Sequence, residues 1–375
     1  MHATPAMTPP STRSRVQTIA YPVITFVGLL YAFYRGYLFP LPDRLSTFNH
    51  WQVGDWLIDY SGGVVRRGLT GEVFFTLVPE GASPIAAVVL TQTLLAATLY
   101  VLVGVLYWRT SRGPAWMMLV LSPAFLLFPA LDADGNTRKE LIALIALAIA
   151  ALGARSRHAS LTLWIALPVF AFAVFGHEAL VVLLPAFVYL ALTSPMVRRG
   201  WVIVSAYFIV GGAAALLAVL RPGDMSVAPA VCDTWNTRGI TDCGGALEAL
   251  GMSASSMTEF LFANYFPGYW AYLLPAALAS LPFFALRVLP KQRLITVIVI
   301  VAVMPLFFVG WDYGRWIFLA TAQLSLIALA RPYRTQPMQV PLYGALAFIL
   351  LWGFNHAGQP LNDGLLVRWM SSIFG

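Results

Sequence analysis

Apolar runs long enough to cross a hydrocarbon core recur along this chain of 375 residues, and they restrict its fold more than any other feature. They lie near 20–40, 84–107, 115–131, 141–154, 160–175, 179–193, 201–220, 260–286, 294–309, 317–330 and 340–354. A helix needs ~20 such residues to span a bilayer, whereas the strands of a membrane barrel alternate apolar and polar side chains. The expected fold is therefore all-α, a polytopic transmembrane helical bundle with about 11 spans (10–12). Only 10% of residues are charged and mean hydropathy is +0.76, which excludes a soluble enzyme, where roughly a quarter would be charged.

The connectors carry a second pattern. Arg13 and Arg15, Arg109 and Arg112, Arg155 and Arg157, Arg198 and Arg199, Arg287, Lys291 and Arg293, and Arg331 and Arg334 are thirteen of the 23 basic residues. They fall in alternate, short connectors that hold none of the sixteen acids. Basic short loops face the cytoplasm, so the expectation is a cytoplasmic N-terminus with every acid-bearing loop outward. This asymmetry accounts for the net charge of +7 without calling for a nucleic-acid partner. Residues 1–19 read as a cytoplasmic basic tail before a retained anchor, since the following run is too long for a signal peptide. Residues 20–354 form the membrane domain, with a first outward loop at 41–83 and another at 221–258; the tail 355–375 is also expected outside.

Cys232 and Cys243 both lie in the outward loop 221–258, and a disulfide between them suits an oxidising exterior. The runs 141–154, 160–175 and 179–193 are short for full spans. The last two meet at Gly176-His177-Glu178 and could place that polar turn below the membrane surface, lining a cavity. No internal repeat of the kind that builds many transporters is visible.

Charged groups near a membrane are costly unless paired, so four outward clusters carry the functional reading. In the first, Val53, Trp56, Leu57 and Tyr60 share one face at 100° per residue and Asp55 and Asp59 share another. This predicts an amphipathic interfacial helix with its carboxylates turned from the lipid, ended by Gly62 and Gly63 and followed by Arg66 and Arg67. Carboxylates can take a proton from an acceptor hydroxyl and guanidinium forks can hold a phosphate; mutual salt bridging is the alternative. The second cluster, Asp132 to Glu140, offers Arg138 and Lys139 for a lipid phosphate, or for snorkelling at a helix end, and Asp132 and Asp134 as weak metal candidates. The third is His177 with Glu178, a base or structural pair. The fourth is Gly310 to Trp316, where Asp312 and Arg315 can pair on one helix face. No tightly bound cofactor is expected, and the need for a divalent metal stays open, as does the oligomeric state.

A polytopic bundle whose first outward loop holds an acidic juxtamembrane helix resembles the GT-C class of integral membrane glycosyltransferases. By residue the resemblance reaches Asp55 and Asp59. It implies a catalytic Asp in that loop and a polyprenyl-phosphate-linked sugar donor, with the active face outside the cytoplasm. Acidic pairs are often adjacent in that class; here the two are four apart. The segment from Asp55 to Gly71, with Arg138-Lys139-Glu140 and Asp312 to Trp316, also resembles uncharacterised bacterial membrane proteins of surface-polysaccharide synthesis. Polymerases of the Wzy type, which join lipid-linked glycan units and use outward arginines, are a neighbouring reading that suits Arg66, Arg67 and Arg138. A lipid-glycan flippase or transporter is the rival from another class, and a non-catalytic scaffold of an assembly complex a third.

Overall fold

The computed structural model describes residues 12–374, apart from residues 133, 136, 224–225, 253, 265, 288 and 331–336. Arg331 and Arg334, two of the basic connector residues, lie outside the described set. The protein is 72% helical with almost no strand. Its main helices are α1 (Thr12–Phe33), α2 (Gly54–Leu57), α3 (Gly68–Leu77), α4 (Pro84–Trp108), α5 (Pro114–Val120), α6 (Glu140–Gly153), α7 (Ala159–Gly176), α8 (Leu184–Thr193), α9 (Gly200–Leu220) and α10 (Val227–Thr237). They continue with α11 (Leu273–Ala285), α12 (Leu289–Val303), α13 (Leu306–Val309), α14 (Tyr313–Ala330), α15 (Leu342–Leu350) and α16 (Leu365–Phe374).

Five segments among the described residues are long and apolar enough to cross a membrane: Ile19–Ser46, Pro84–Trp108, Ala159–Gly176, Gly200–Leu220 and Tyr313–Ala330. Four shorter apolar helical segments, Glu140–Gly153, Glu178–Thr193, Trp270–Ala285 and Arg293–Val309, accompany them. Several runs that read as single spans are broken. Residues 115–131 divide into α5 and a one-turn helix at Phe128–Leu131, and the run at 260–286 is interrupted by a 3-10 turn at Phe266–Tyr272. Pro114 and Pro129 each sit at the start of a new helical piece, where a missing N–H costs nothing.

The bundle is layered. Helix α14 is 89% buried over its most apolar stretch, while α9 is only 22% buried. Helix α6, apolar all round, is buried along nearly its whole length and packs against α4, α7 and α14. A helix without a polar face has to be enclosed by other helices. Large apolar side chains such as Leu94, Val101, Ile209 and Val219 project outward from the peripheral helices, as lipid-facing positions should.

The two ends of the bundle differ chemically. At one end Arg109 donates to Leu152 O at 3.0 Å and Arg155 to Ala330 O at 2.7 Å. Both arginines meet carbonyls at helix C-termini, where a cation complements the helix dipole. The opposite end, where α7 and α9 finish and α6 and α14 begin, collects the carboxylates. Residues beyond α15 do not trail away as a simple tail: a two-residue antiparallel pairing, Trp352–Gly353 with Asn362–Asp363, turns the chain back toward that end.

Candidate functional site

The first outward loop does not form the amphipathic helix expected for 53–60. Helix α2 stops at Leu57 and Ile58 is extended. The carbonyls that would continue it are taken elsewhere: Leu57 O accepts from Trp235 Nε1 at 2.9 Å and Ile58 O from Gly71 N at 3.1 Å. Asp55 and Asp59 consequently part company, and both are buried in protein rather than displayed on one face. Asp59 accepts from Ser61 N at 2.9 Å and from Ser61 Oγ at 2.5 Å, closing a local turn. It does not line the cavity that Asp55 lines.

That cavity has a volume of about 450 Å³ and gathers all four charged clusters. Asp55, Glu178 and Asp312 line it beside Arg66, Arg67, Arg138 and Arg315, four guanidiniums against three carboxylates. Trp51, Trp311 and Trp316 form an aromatic wall, and Val181, Ala215 and Leu306 belong to an apolar one. A second cavity of about 620 Å³, nearly all apolar, lies along α11 and α12. Helix α13 borders both, with Leu306 and Val309 on the charged cavity and Phe307 and Phe308 on the apolar one.

The ion pairs assign distinct work to each residue. Arg67, left-handed at φ 66° just before α3, turns its guanidinium onto Glu178 at 3.2 Å and Asp55 at 3.7 Å. Arg66 meets the same Glu178 oxygen at 3.2 Å and donates to Pro222 O at 2.5 Å. Lys139, with no exposed surface, reaches Asp55 Oδ2 at 3.4 Å and donates to Gly176 O at 2.9 Å. Arg315 bridges Glu140 and Asp312. The sequence placed Glu140 in a cluster but gave it no role; its position in the first turn of a buried helix was the available signal.

Arg138 stands apart. It is 8% exposed and donates Nη1–H to Trp51 O, yet its buried Nε has no hydrogen-bond partner. Among the described residues no carboxylate forms a direct ion pair with it. Asp55 Oδ1 is likewise buried without a hydrogen bond. Both side chains line the same cavity, and each keeps a buried polar atom without a hydrogen bond, Asp55 Oδ1 lying 3.7 Å from Arg67 Nη1, an arrangement that costs free energy.

Electrostatics follow from these contacts. Burial alone would raise the Asp55 carboxyl, but Lys139 and then Arg67 outweigh it and hold the group well below the usual carboxylate range. Burial, reinforced by Arg67, lowers His177 to about 4, so it is neutral at physiological pH. Its Nδ1 lies 3.9 Å from Glu178. Burial raises Asp59, against the opposing hydrogen bonds from Ser61.

The weak metal candidates have other partners. Asp132 accepts from the backbone N–H groups of Asp134 and Gly135 at 3.1 Å and from His356 Nδ1 at 2.8 Å, and Asp134 accepts from Gln52 Nε2 at 3.1 Å. No group of three or more metal-ligating side chains occurs among the described residues. Cys232 and Cys243 are joined in a disulfide, and the segment it pins covers the first loop, with Trp235 packed edge-on against Phe48. Compared with known proteins, the chain matches no family model, no curated protein and no solved structure.

Proposed function

We propose that this chain is a membrane glycosyltransferase that takes a sugar from a polyprenyl-phosphate-linked donor and passes it to a glycan or lipid-linked acceptor, in cell-surface polysaccharide assembly. Its location on this reading is the bacterial cytoplasmic membrane, with the charged cavity on the outer face. The observation that carries the reading is the meeting of Asp55 and Arg138 in one cavity, each with a buried polar atom unsatisfied, beside an apolar cavity across α13. The first suits a sugar phosphate and its acceptor, and the second suits the chain of a lipid carrier.

In the transfer, an acceptor hydroxyl attacks the anomeric carbon as the bond from that carbon to the phosphate oxygen breaks. The bonding pair leaves with the phosphate, whose added charge Arg138 meets with its fork. The hydroxyl proton passes to Asp55. A carboxylate held so far down is a weak base, so Asp55 orients the hydroxyl through a hydrogen bond and accepts the proton late, once the oxygen has become acidic by bonding to carbon. Arg66 and Arg67, paired with Glu178, shape the cavity, which moves the phosphate-binding role expected of them to Arg138. A flippase would need polar access along the bundle, whereas these ion pairs cluster at one end; that supports transfer over transport.

The test is transfer by the purified protein in lipid nanodiscs from a polyprenyl-phosphate sugar. Asp55→Asn and Arg138→Gln should each lower kcat/KM by about 100-fold or more, equivalent to ~3 kcal/mol of lost transition-state stabilisation. A folded Asp55→Asn protein with undiminished transfer would sink the assignment of the base. Release of one sugar per turnover supports a single-sugar transferase, and joining of whole glycan units would redirect the reading to a polymerase.

A further inference from the structure

Helix α16 carries a face that the site does not use. Leu366, Trp369, Met370 and Ile373 follow the i, i+3, i+4, i+7 spacing of one helical stripe, and they are 37%, 60%, 47% and 53% exposed. The opposite side holds the helix to the protein. Arg368 donates to Leu131 O at 2.8 Å and to Asp363 O at 2.9 Å, and Leu365 packs on the core. The preceding turn is fixed too, since His356 bonds Asp132 through Nδ1 and its carbonyl accepts from Gly314 N at 2.9 Å.

We propose that α16 lies flat in the bilayer interface, with Leu366, Trp369, Met370 and Ile373 packed against lipid at the edge of the hydrocarbon. Its level in the molecule supports this occupant. Leu131 and Asp132 precede α6, and Gly314 is in the first turn of α14, which is long and apolar enough to cross a membrane, so α16 is pinned at the level where that helix begins. Ten residues cover about 15 Å as a helix, too short to span but suited to lying along the surface with a tryptophan at headgroup depth. The helix also satisfies its own polar groups: Ser371 Oγ donates to Val367 O at 3.1 Å and Ser372 Oγ to Trp369 O at 2.7 Å. Its one charge, on Arg368, is turned to protein. A second copy of the chain fits less well, since four side chains offer far less than the roughly 1,000 Å² that a specific protein interface buries.

Nitroxide labels test the placement in the full-length protein. Single cysteines replace Leu366, Val367, Trp369, Met370, Ser371 and Ile373 in turn, each exposed or partly so; Cys232 and Cys243 are already joined and do not take the label. The protein is reconstituted in vesicles of equal parts phosphatidylethanolamine and phosphatidylglycerol. Collision with oxygen, which concentrates in lipid, is compared with collision with a water-soluble nickel chelate. The expected ratio is several-fold higher at 366, 369, 370 and 373 than at 367 and 371. Uniform access of the chelate would overturn the proposal by placing the whole helix in water. Spin–spin broadening confined to the apolar stripe would overturn it in favour of a second copy.

Discussion

At the residue scale, Asp55 and Lys139 depend on each other. Lys139 has no exposed surface and Asp55 little, and removing one partner of a buried pair leaves the other charge uncompensated, at a cost of about 3 to 5 kcal/mol. Asp55→Asn should therefore lower thermal stability as well as transfer. The double variant Asp55→Asn/Lys139→Met should recover much of the stability and none of the transfer, and differential scanning fluorimetry of the set measures both the loss and the recovery. His177 makes a separate prediction with a definite sign. Its native pKa of about 4 lies below its ordinary 6.5, so between those values the unfolded chain takes up a proton that the folded protein refuses. Stability should be constant for this group above pH ~6.5 and fall by up to about 1.4 kcal/mol per pH unit between there and pH ~4. Replacing His177 with Gln should remove that slope from a pH series of denaturation midpoints. Sequence made most of these residues visible, because charges in so apolar a chain are few and conspicuous. Their pairing was visible only where it is local: the i, i+3 spacing pairs Asp312 with Arg315, and mutual salt bridging in the first loop is met by Arg67 with Asp55, whereas contacts across 72 to 112 positions of chain, which spacing does not show, connect Arg67 to Lys139 and Arg66 to Glu178.

At the element scale, helices α4, α7, α9 and α14 were legible as apolar runs because enclosure in a membrane rewards length and hydropathy. The first outward loop was not. Its 100° periodicity is real, but backbone carbonyls at 57 and 58 find partners in Trp235 and Gly71, and local periodicity cannot register partners that far along the chain. Gly71 is the element that allows this. A Cβ there would lie 2.1 Å from Ile58 O, so only glycine lets α3 rest on the segment behind Asp55. Gly71→Ala should force that segment away, with a loss on the order of 1 to 3 kcal/mol. Because Arg67 directly precedes α3, transfer should fall together with the denaturation midpoint, whereas substitution at the exposed Leu77 at the far end of α3 should change neither. The disulfide acts on the same loop from the other side, and closing a chain of this length contributes about 2 to 3 kcal/mol in the entropic estimate. Reduction should accordingly lower the melting temperature and expose the 48–57 segment to limited proteolysis.

At the scale of the whole molecule, the separation of charge along the chain becomes a separation in space. Arg109 and Arg155 cap helix ends at one pole of the bundle, and Asp55, Glu178, Asp312 and Glu140 meet cations at the other. On the proposed reading the first pole faces the cytoplasm, as the positive-inside rule expects of basic connectors, and the second pole, with the disulfide, faces an oxidising exterior that suits it. Cysteine labelling of intact cells with a membrane-impermeant maleimide checks it in a chain whose own thiols are paired. A cysteine at Ser111 or Ser156, in the connectors that carry Arg109 and Arg155, should react only after the cells are opened. A cysteine at Ser61 or at Thr241, beside the disulfide, should react in intact cells. Labelling of both pairs in intact cells would mean that the chain does not separate its poles across a membrane. The reverse pattern would put the charged cavity in the cytoplasm, where a nucleotide-activated donor would replace the lipid-linked one, and with it the chemistry proposed for Asp55 and Arg138 would need a different substrate.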